Sequence, residues 1–99
     1  MYDVRYTENA RRELEEIFSF IAQGNLENAL AFLDKLKEHL EGVLSVFPNS
    51  GTLYDKERGI RKHSYEGYTA FYHVPSSGVV EVLHVVHLGK PLEIRGIEF

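Results

Sequence analysis

The sequence contains no cysteine. Disulfide bonds, thiolate nucleophiles and cysteine-based metal sites are therefore excluded, which favours a reducing compartment such as the cytosol. The chain also lacks an apolar run near the roughly 20 residues that a membrane-spanning helix requires, and its first residues lack the apolar core of a signal peptide. We therefore expect a cytoplasmic protein with no membrane partner.

An excess of basic residues is also missing. The 11 Lys and Arg residues are outnumbered by 15 Asp and Glu, for a formal net charge of −4. Because phosphate contacts dominate nucleic-acid affinity, this balance argues against a protein that works mainly by binding nucleic acid. The local exception is the cluster of Lys56, Arg58, Arg61 and Lys62, which forms either a small basic patch or a solvated loop and strand start.

Common catalytic and cofactor motifs are absent too. The sequence has no P-loop, no Gly-x-Gly-x-x-Gly and no Gly-x-Ser-x-Gly elbow. Its five histidines include no pair at the spacing of a helical metal site. His84 and His87 are three residues apart, so an undistorted strand points them to opposite faces. We therefore predict no metal and no cofactor.

What the sequence does contain is a run of sheet-forming segments over residues 59–87. Three stretches rich in β-branched and aromatic residues are separated by Glu66-Gly67 and by residues 75–78, and both breaks are typical of tight turns. This pattern predicts a three-stranded antiparallel meander. In its middle strand an apolar face alternates with a mixed face that carries Thr69, Phe71 and His73.

The first half of the chain predicts one strand and two helices. Residues 2–6 alternate between apolar and polar, and Thr7 can then cap a first helix that runs to about residue 23. Gly24 can provide a left-handed stop and Asn25 can cap a second helix, which Pro48 ends. So short a connection predicts an antiparallel helical hairpin.

These elements predict an α+β fold of order βααβββ. Both helices carry an apolar stripe and the sheet has one apolar face, so an antiparallel sheet should pack against the N-terminal helical hairpin. We expect residues 1–99 to form a single domain. Residues 49–51 are predicted as loop, with Leu53 and Tyr54 packed beneath it, and residues 89–99 form either an edge strand or a packed tail.

Polar side chains on or near the mixed face of the sheet form the candidate site. Histidine and lysine there could serve phosphoryl transfer, with histidine as general acid or base and the cations stabilising the charged transition state. The simpler alternative is that these side chains only solvate an open sheet face. The set consists of Lys62, His63, Thr69, His73, His87 and Lys90.

An ordered series of segments resembles the RelE/ParE superfamily of toxins from type II toxin–antitoxin systems. The segments are YxVRYTxxAxxELEEIxxFIA at residues 2–22, FPNSG at 47–51, GIR at 59–61, GYTAFYHV at 67–74 and VEVLHVVH at 80–87. The resemblance covers nearly the whole chain. It implies the βααβββ fold, a toxin function and a cognate antitoxin that wraps the toxin.

One activity in this superfamily is the RelE-like cleavage of messenger RNA on the ribosome. Such members use two lysines, two arginines and a tail tyrosine, and only Lys62 matches that set. The other positions hold Ile60, Thr69, Pro91, Ile97 and Phe99. A few ribosome-dependent relatives use histidines instead, so a nuclease here would depend on Lys62, His63, His87 and Lys90.

The other activity is ParE-like, and it is implied by the first-helix frame, the Phe-Pro-x-x-Gly segment and the histidine that ends the last strand, His87. Such toxins lack a nuclease site and act on DNA gyrase, trapping it with cleaved DNA. The acidic balance agrees with a protein target. An arginine often follows that histidine closely, whereas residues 88–91 here read LGKP.

We therefore predict a ParE-like inhibitor of DNA gyrase that acts by protein binding. The alternatives are a RelE-like endoribonuclease with the ribosome and messenger RNA as partners, which would make the protein an enzyme, or a member that has lost toxicity. The predicted binding residues are charged or lie in the C-terminal tail. They are Arg58, Arg61, Lys62, His87, Lys90, Leu92, Ile94, Arg95, Ile97 and Phe99.

Overall fold

The computed structural model of the protein describes residues 1–87. The elements follow one another as a strand, two helices and four further strands. They are β1 (Asp3–Tyr6), α1 (Glu8–Ala22), α2 (Leu26–Val46), β2 (Thr52–Asp55), β3 (Ile60–Tyr65), β4 (Tyr68–Ser76) and β5 (Val79–His87).

Both helices begin at the residues that the sequence predicts. The Thr7 hydroxyl accepts the backbone N–H of Ala10 at 3.1 Å, and the Asn25 side chain accepts that of Asn28 at 2.9 Å. These contacts satisfy backbone donors that have no partner within the helix. The left-handed stop predicted at Gly24 is wrong: the glycines with positive φ in residues 1–87 are Gly59, Gly67 and Gly78.

The antiparallel meander is confirmed over β3, β4 and β5. Its first turn joins Tyr65 to Tyr68, which are paired across the hairpin. The two turn residues, Glu66 and Gly67, have φ values of 49° and 87°. Positive φ at both central positions is what a two-residue type I′ turn requires, because its twist matches that of the strands.

The α+β class and the hairpin packed on a sheet are confirmed, but the sheet differs from the prediction in two ways. Within residues 1–87 it has five strands in the order β1-β5-β4-β3-β2, since residues 52–55, for which no strand was predicted, form a short edge strand. It is also mixed rather than fully antiparallel, because β1 pairs in parallel with β5. The helical hairpin between β1 and the meander supplies the crossover that parallel pairing requires.

The core lies between the helical hairpin and one face of the sheet. Alternate residues of β4 and β5 meet the apolar stripes of both helices there, which removes their side chains from water. The buried cluster consists of Ala10, Leu14, Leu36, Leu40, Leu44, Tyr68, Ala70, Tyr72, Val80, Val82 and Val85. Among the described residues, no helix is long and apolar enough to span a membrane.

The mixed face of β4 is not an open polar surface. Thr69 is 2% exposed and Phe71 is 1% exposed. The ring of Tyr54 on β2 lies edge-on to that of Phe71, with ring centres 4.9 Å apart. The mixed face therefore buries apolar area of its own, and Tyr54 packs against the sheet rather than beneath the loop.

Candidate functional site

Two histidines meet between the second helix and the sheet. Nε2 of His39 on α2 lies 2.8 Å from Nε2 of His63 on β3. The ring centres are 5.0 Å apart, close to the N–N distance plus the two ring radii, so the rings point end to end at each other. One ring must donate an N–H to the lone pair of the other. Tyr65 stacks on His39 with ring centres 4.1 Å apart.

The surroundings of His63 disfavour its protonated, imidazolium form. Burial lowers the pKa of His63, and the charge of His39 lowers it further. Both effects act against the imidazolium form, which is poorly solvated there and faces a like charge. His63 is therefore engaged with His39 rather than presented to a substrate.

Lys62 lies on the other side of the sheet from His63. In the β3–β4 register Lys62 is opposite Phe71, whereas His63 is opposite Ala70 of the core. Residues that pair across strands share a face, and consecutive residues point to opposite faces. The structure thus separates two residues that a nuclease site would have to bring together.

The His87 ring lies on the core side of the sheet, at the end of β5. It lies edge-on to the Tyr68 ring, with ring centres 5.0 Å apart, and burial raises the pKa of the Tyr68 hydroxyl. His87 and Tyr68 border an open groove of about 330 Å³ between α1 and the ends of β4 and β5. We call this the α1 groove. Its lining is Glu13, Glu16, Ile17, Phe20, Tyr68, Val85, Val86 and His87.

The α1 groove is apolar with an acidic side. Phe20 contributes a large ring that is 72% exposed, and Ile17 lies one turn before it on the same helix. Glu13 and Glu16 line the groove from the same helix. An exposed apolar surface beside carboxylates is typical of a protein-binding site, because burial of the apolar groups favours association and the charges select the partner.

The other polar residues of the predicted set are engaged within the sheet. Nε2 of His73 donates to Glu81 at 2.7 Å, and the hydroxyls of Thr69 and Ser64 lie 3.1 Å apart. A similar contact that sequence reasoning missed joins His84, which is 5% exposed, to the carboxylate of Glu13 at 2.9 Å. No local signal marks that pair, since its members are 71 residues apart.

The basic cluster is dispersed by the fold. The Arg61 guanidinium donates to the backbone carbonyl of Gly51 at 2.9 Å and so holds a loop. Arg58 lies beside Asp55 at the β2–β3 turn, with Nε 3.8 Å from its carboxylate, and most of its side chain is exposed. Lys62 is on a different face from Arg61, because the two are consecutive in β3. These residues form no single cationic site.

Six predicted site residues lie outside the described part of the chain. They are Lys90, Leu92, Ile94, Arg95, Ile97 and Phe99. Within residues 1–87, no three His, Asp or Glu side chains converge as metal ligands would. The described residues thus offer a groove suited to protein binding and a set of polar side chains that are paired with each other.

Comparisons with known proteins agree with the fold. Residues 4–90 match the family model of the ParE toxin of type II toxin–antitoxin systems, parDE. The chromosomal ParDE system from P. aeruginosa contains a chain of similar fold, with a TM-score of 0.73 and 18% identity over 89% of this chain and 97% of that one. A chain of the RelBE2 toxin–antitoxin complex from Mycobacterium tuberculosis has a TM-score of 0.65 and 27% identity, covering 87% and 90%. No curated protein sequence shows significant similarity.

Proposed function

Because this chain belongs to the ParE toxin family of type II toxin–antitoxin systems, we propose that it inhibits DNA gyrase in the cytoplasm by binding to it, without a catalytic step of its own. The observation that carries the proposal is the separation of Lys62 from His63 on opposite faces of β3. Messenger RNA cleavage would require a proton-transferring group and a cation around one phosphate.

The pairing of the histidines supports the same proposal. His63 is bonded to His39, His73 to Glu81 and His84 to Glu13. A general acid or base must lie within hydrogen-bond reach of the substrate proton. These three side chains are instead used to join one element of the fold to another. A protein that acts by binding needs none of them to be available.

We further propose that the cognate antitoxin covers the α1 groove with an amphipathic segment. The two structural relatives come from toxin–antitoxin systems. The exposed ring of Phe20 is complementary to apolar side chains on the partner, and the exposed carboxylate of Glu16 is complementary to a basic one. Laying the apolar face of a helix into such a groove is a common mode of peptide recognition.

A supercoiling assay tests the gyrase proposal. Purified DNA gyrase is titrated with the protein, and ribosome-programmed messenger RNA is incubated with the same preparation. We expect supercoiling to stop, cleaved DNA to accumulate and the messenger RNA to remain intact. Cleaved messenger RNA with normal supercoiling would overturn the proposal in favour of the RelE-like activity.

Variants distinguish gyrase binding from nuclease activity. If the protein binds gyrase, Lys62→Ala and His87→Ala should change inhibition only modestly, whereas truncation after Gly89 should weaken it more. If the protein is a nuclease, either substitution should lower the cleavage rate by about 10²-fold with the fold intact. Full inhibition by the truncated protein would count against a role for the predicted binding residues of the tail.

A further inference from the structure

We propose that the His39–His63 pair is an acid-sensitive latch that fastens α2 to β3 and opens when both rings are protonated. The proposal rests on the 2.8 Å separation of the two Nε2 atoms and on the end-to-end arrangement of the rings. It concerns the fold alone and does not depend on the proposed function.

The number of protons on the pair decides whether the hydrogen bond can form. A neutral imidazole has one N–H and one lone pair, and an imidazolium has two N–H groups and no lone pair. The bond therefore forms when both rings are neutral or when one is protonated. With both protonated, two N–H groups and two positive charges face each other, and the contact becomes repulsive.

No carboxylate contact within residues 1–87 offsets that repulsion. Nε2 of His73 lies 2.7 Å from a carboxylate oxygen of Glu81, and Nδ1 of His84 lies 2.9 Å from one of Glu13. Neither His39 nor His63 has such a partner within residues 1–87. Other titratable or charged groups lie near the pair. Lys35, Glu38 and Tyr65 line the same depression as His39. Arg61 lies two residues before His63 on the same face of β3, and Tyr68 on β4 is opposite Tyr65.

The direction of the pH effect follows from the lowered pKa of His63. Below the ordinary histidine value of 6.5 the unfolded or opened chain binds more protons than the latched one. The contribution of the His39–His63 contact to stability is therefore fully present above that value and is lost as the pH falls below it. Because Leu36 and Leu40 stay buried in the core, we expect local loosening of α2 from β3 rather than global unfolding.

Nuclear magnetic resonance tests the latch on the full chain. At about pH 7.5, long-range ¹H–¹⁵N spectra should show one ring protonated at Nε2 and the other at Nδ1, as an N–H···N bond demands. On acidification the His63 ring should become protonated at both nitrogens only below pH 6.5. Two rings that are both protonated at Nε2 at neutral pH would overturn the proposal.

Amide hydrogen exchange tests whether the latch opens. Each rate is divided by the intrinsic rate at the same pH, and β3 amides are compared with β5 amides. In the wild type, acidification from about pH 7.5 to about pH 5.5 should lower the protection of β3 about tenfold relative to β5. His63→Gln keeps a donor and an acceptor but cannot gain a proton, so its β3 protection should not change.

His73→Gln is the matched control, because it removes a histidine from the same sheet without touching the pair. It should lose protection of β3 on acidification as the wild type does. If His63→Gln also behaves like the wild type, the titration of this pair does not open the structure, and the latch is refuted.

Discussion

The carboxylate of Glu13 on α1 accepts the backbone N–H of Val85 on β5 at 3.0 Å. The neighbouring strand β1 pairs with β5 only as far as Val82, so within residues 1–87 no strand lies beside that edge of β5 further along. Thr7 continues the contacts, since its hydroxyl donates to the carbonyl of Leu83 at 2.9 Å. A helix side chain thus completes the edge of a central strand.

Replacing Glu13 with alanine should destabilise the fold by about 1–3 kcal/mol, because a backbone N–H and the buried His84 ring both lose their acceptor. Urea unfolding monitored by circular dichroism measures the change. Glu15→Ala on the exposed side of the same helix is the control and should stay within about 0.5 kcal/mol. Equal stability of the two variants would show that Glu13 contributes nothing at this edge.

Gly51 and Gly42 should respond in opposite directions to alanine. A Cβ at Gly51 would lie 2.5 Å from the Tyr72 hydroxyl and 2.7 Å from the Lys62 carbonyl, whereas one at Gly42 meets nothing within 4 Å. Gly51→Ala should cost about 1–3 kcal/mol through overpacking. Gly42→Ala should stabilise α2 by about 0.5–1 kcal/mol through helix propensity. Thermal unfolding of both variants tests this, and a neutral Gly51→Ala would contradict it.

Asparagine should be more stable than glutamate at turn position 66. Its φ of 49° is left-handed, a region that asparagine adopts more readily than other non-glycine residues. We expect Glu66→Asn to raise the free energy of unfolding by about 0.5–1 kcal/mol. Glu57→Asn in the preceding turn, where φ is not positive, should bring no such gain. Denaturant midpoints decide between them, and a loss of stability at position 66 would refute the argument.

Phe20 should govern antitoxin binding without affecting the fold. Its ring is 72% exposed in the α1 groove, so Phe20→Glu removes apolar contact area and adds a third carboxylate. Calorimetry with the cognate antitoxin should show affinity at least about tenfold weaker. Val46→Glu, at the far end of α2 and 51% exposed, is the control and should bind normally. If Phe20→Glu binds as the wild type does, the antitoxin does not use this groove.

Much of the fold follows from local sequence. The caps Thr7 and Asn25, the turn at Glu66-Gly67 and the meander are each encoded within a few residues, because caps, turns and alternation act between near neighbours. The strand β2 was not predicted, because its own residues carry little local signal. Its four residues are largely exposed and too few to show an alternating pattern.

The candidate site was less predictable. Alternation along β3 already places Lys62 and His63 on opposite faces, so their separation follows from the sequence once the strand is recognised. Which partner each side chain meets does not follow. His39 meets His63 and Glu13 meets His84 only after two helices have packed on the sheet.

By itself, then, the sequence determined the types of the described elements other than β2, the helical hairpin and the resemblance to the toxin superfamily, because all three depend on short segments in order. Only the tertiary structure decided the parallel pairing of β1 with β5, the burial of Thr69 and Phe71, and the histidine pair. Those features join residues distant along the chain. These contacts depend on how the helical hairpin and the sheet pack to bury apolar surface together, and no local sequence pattern determines that packing.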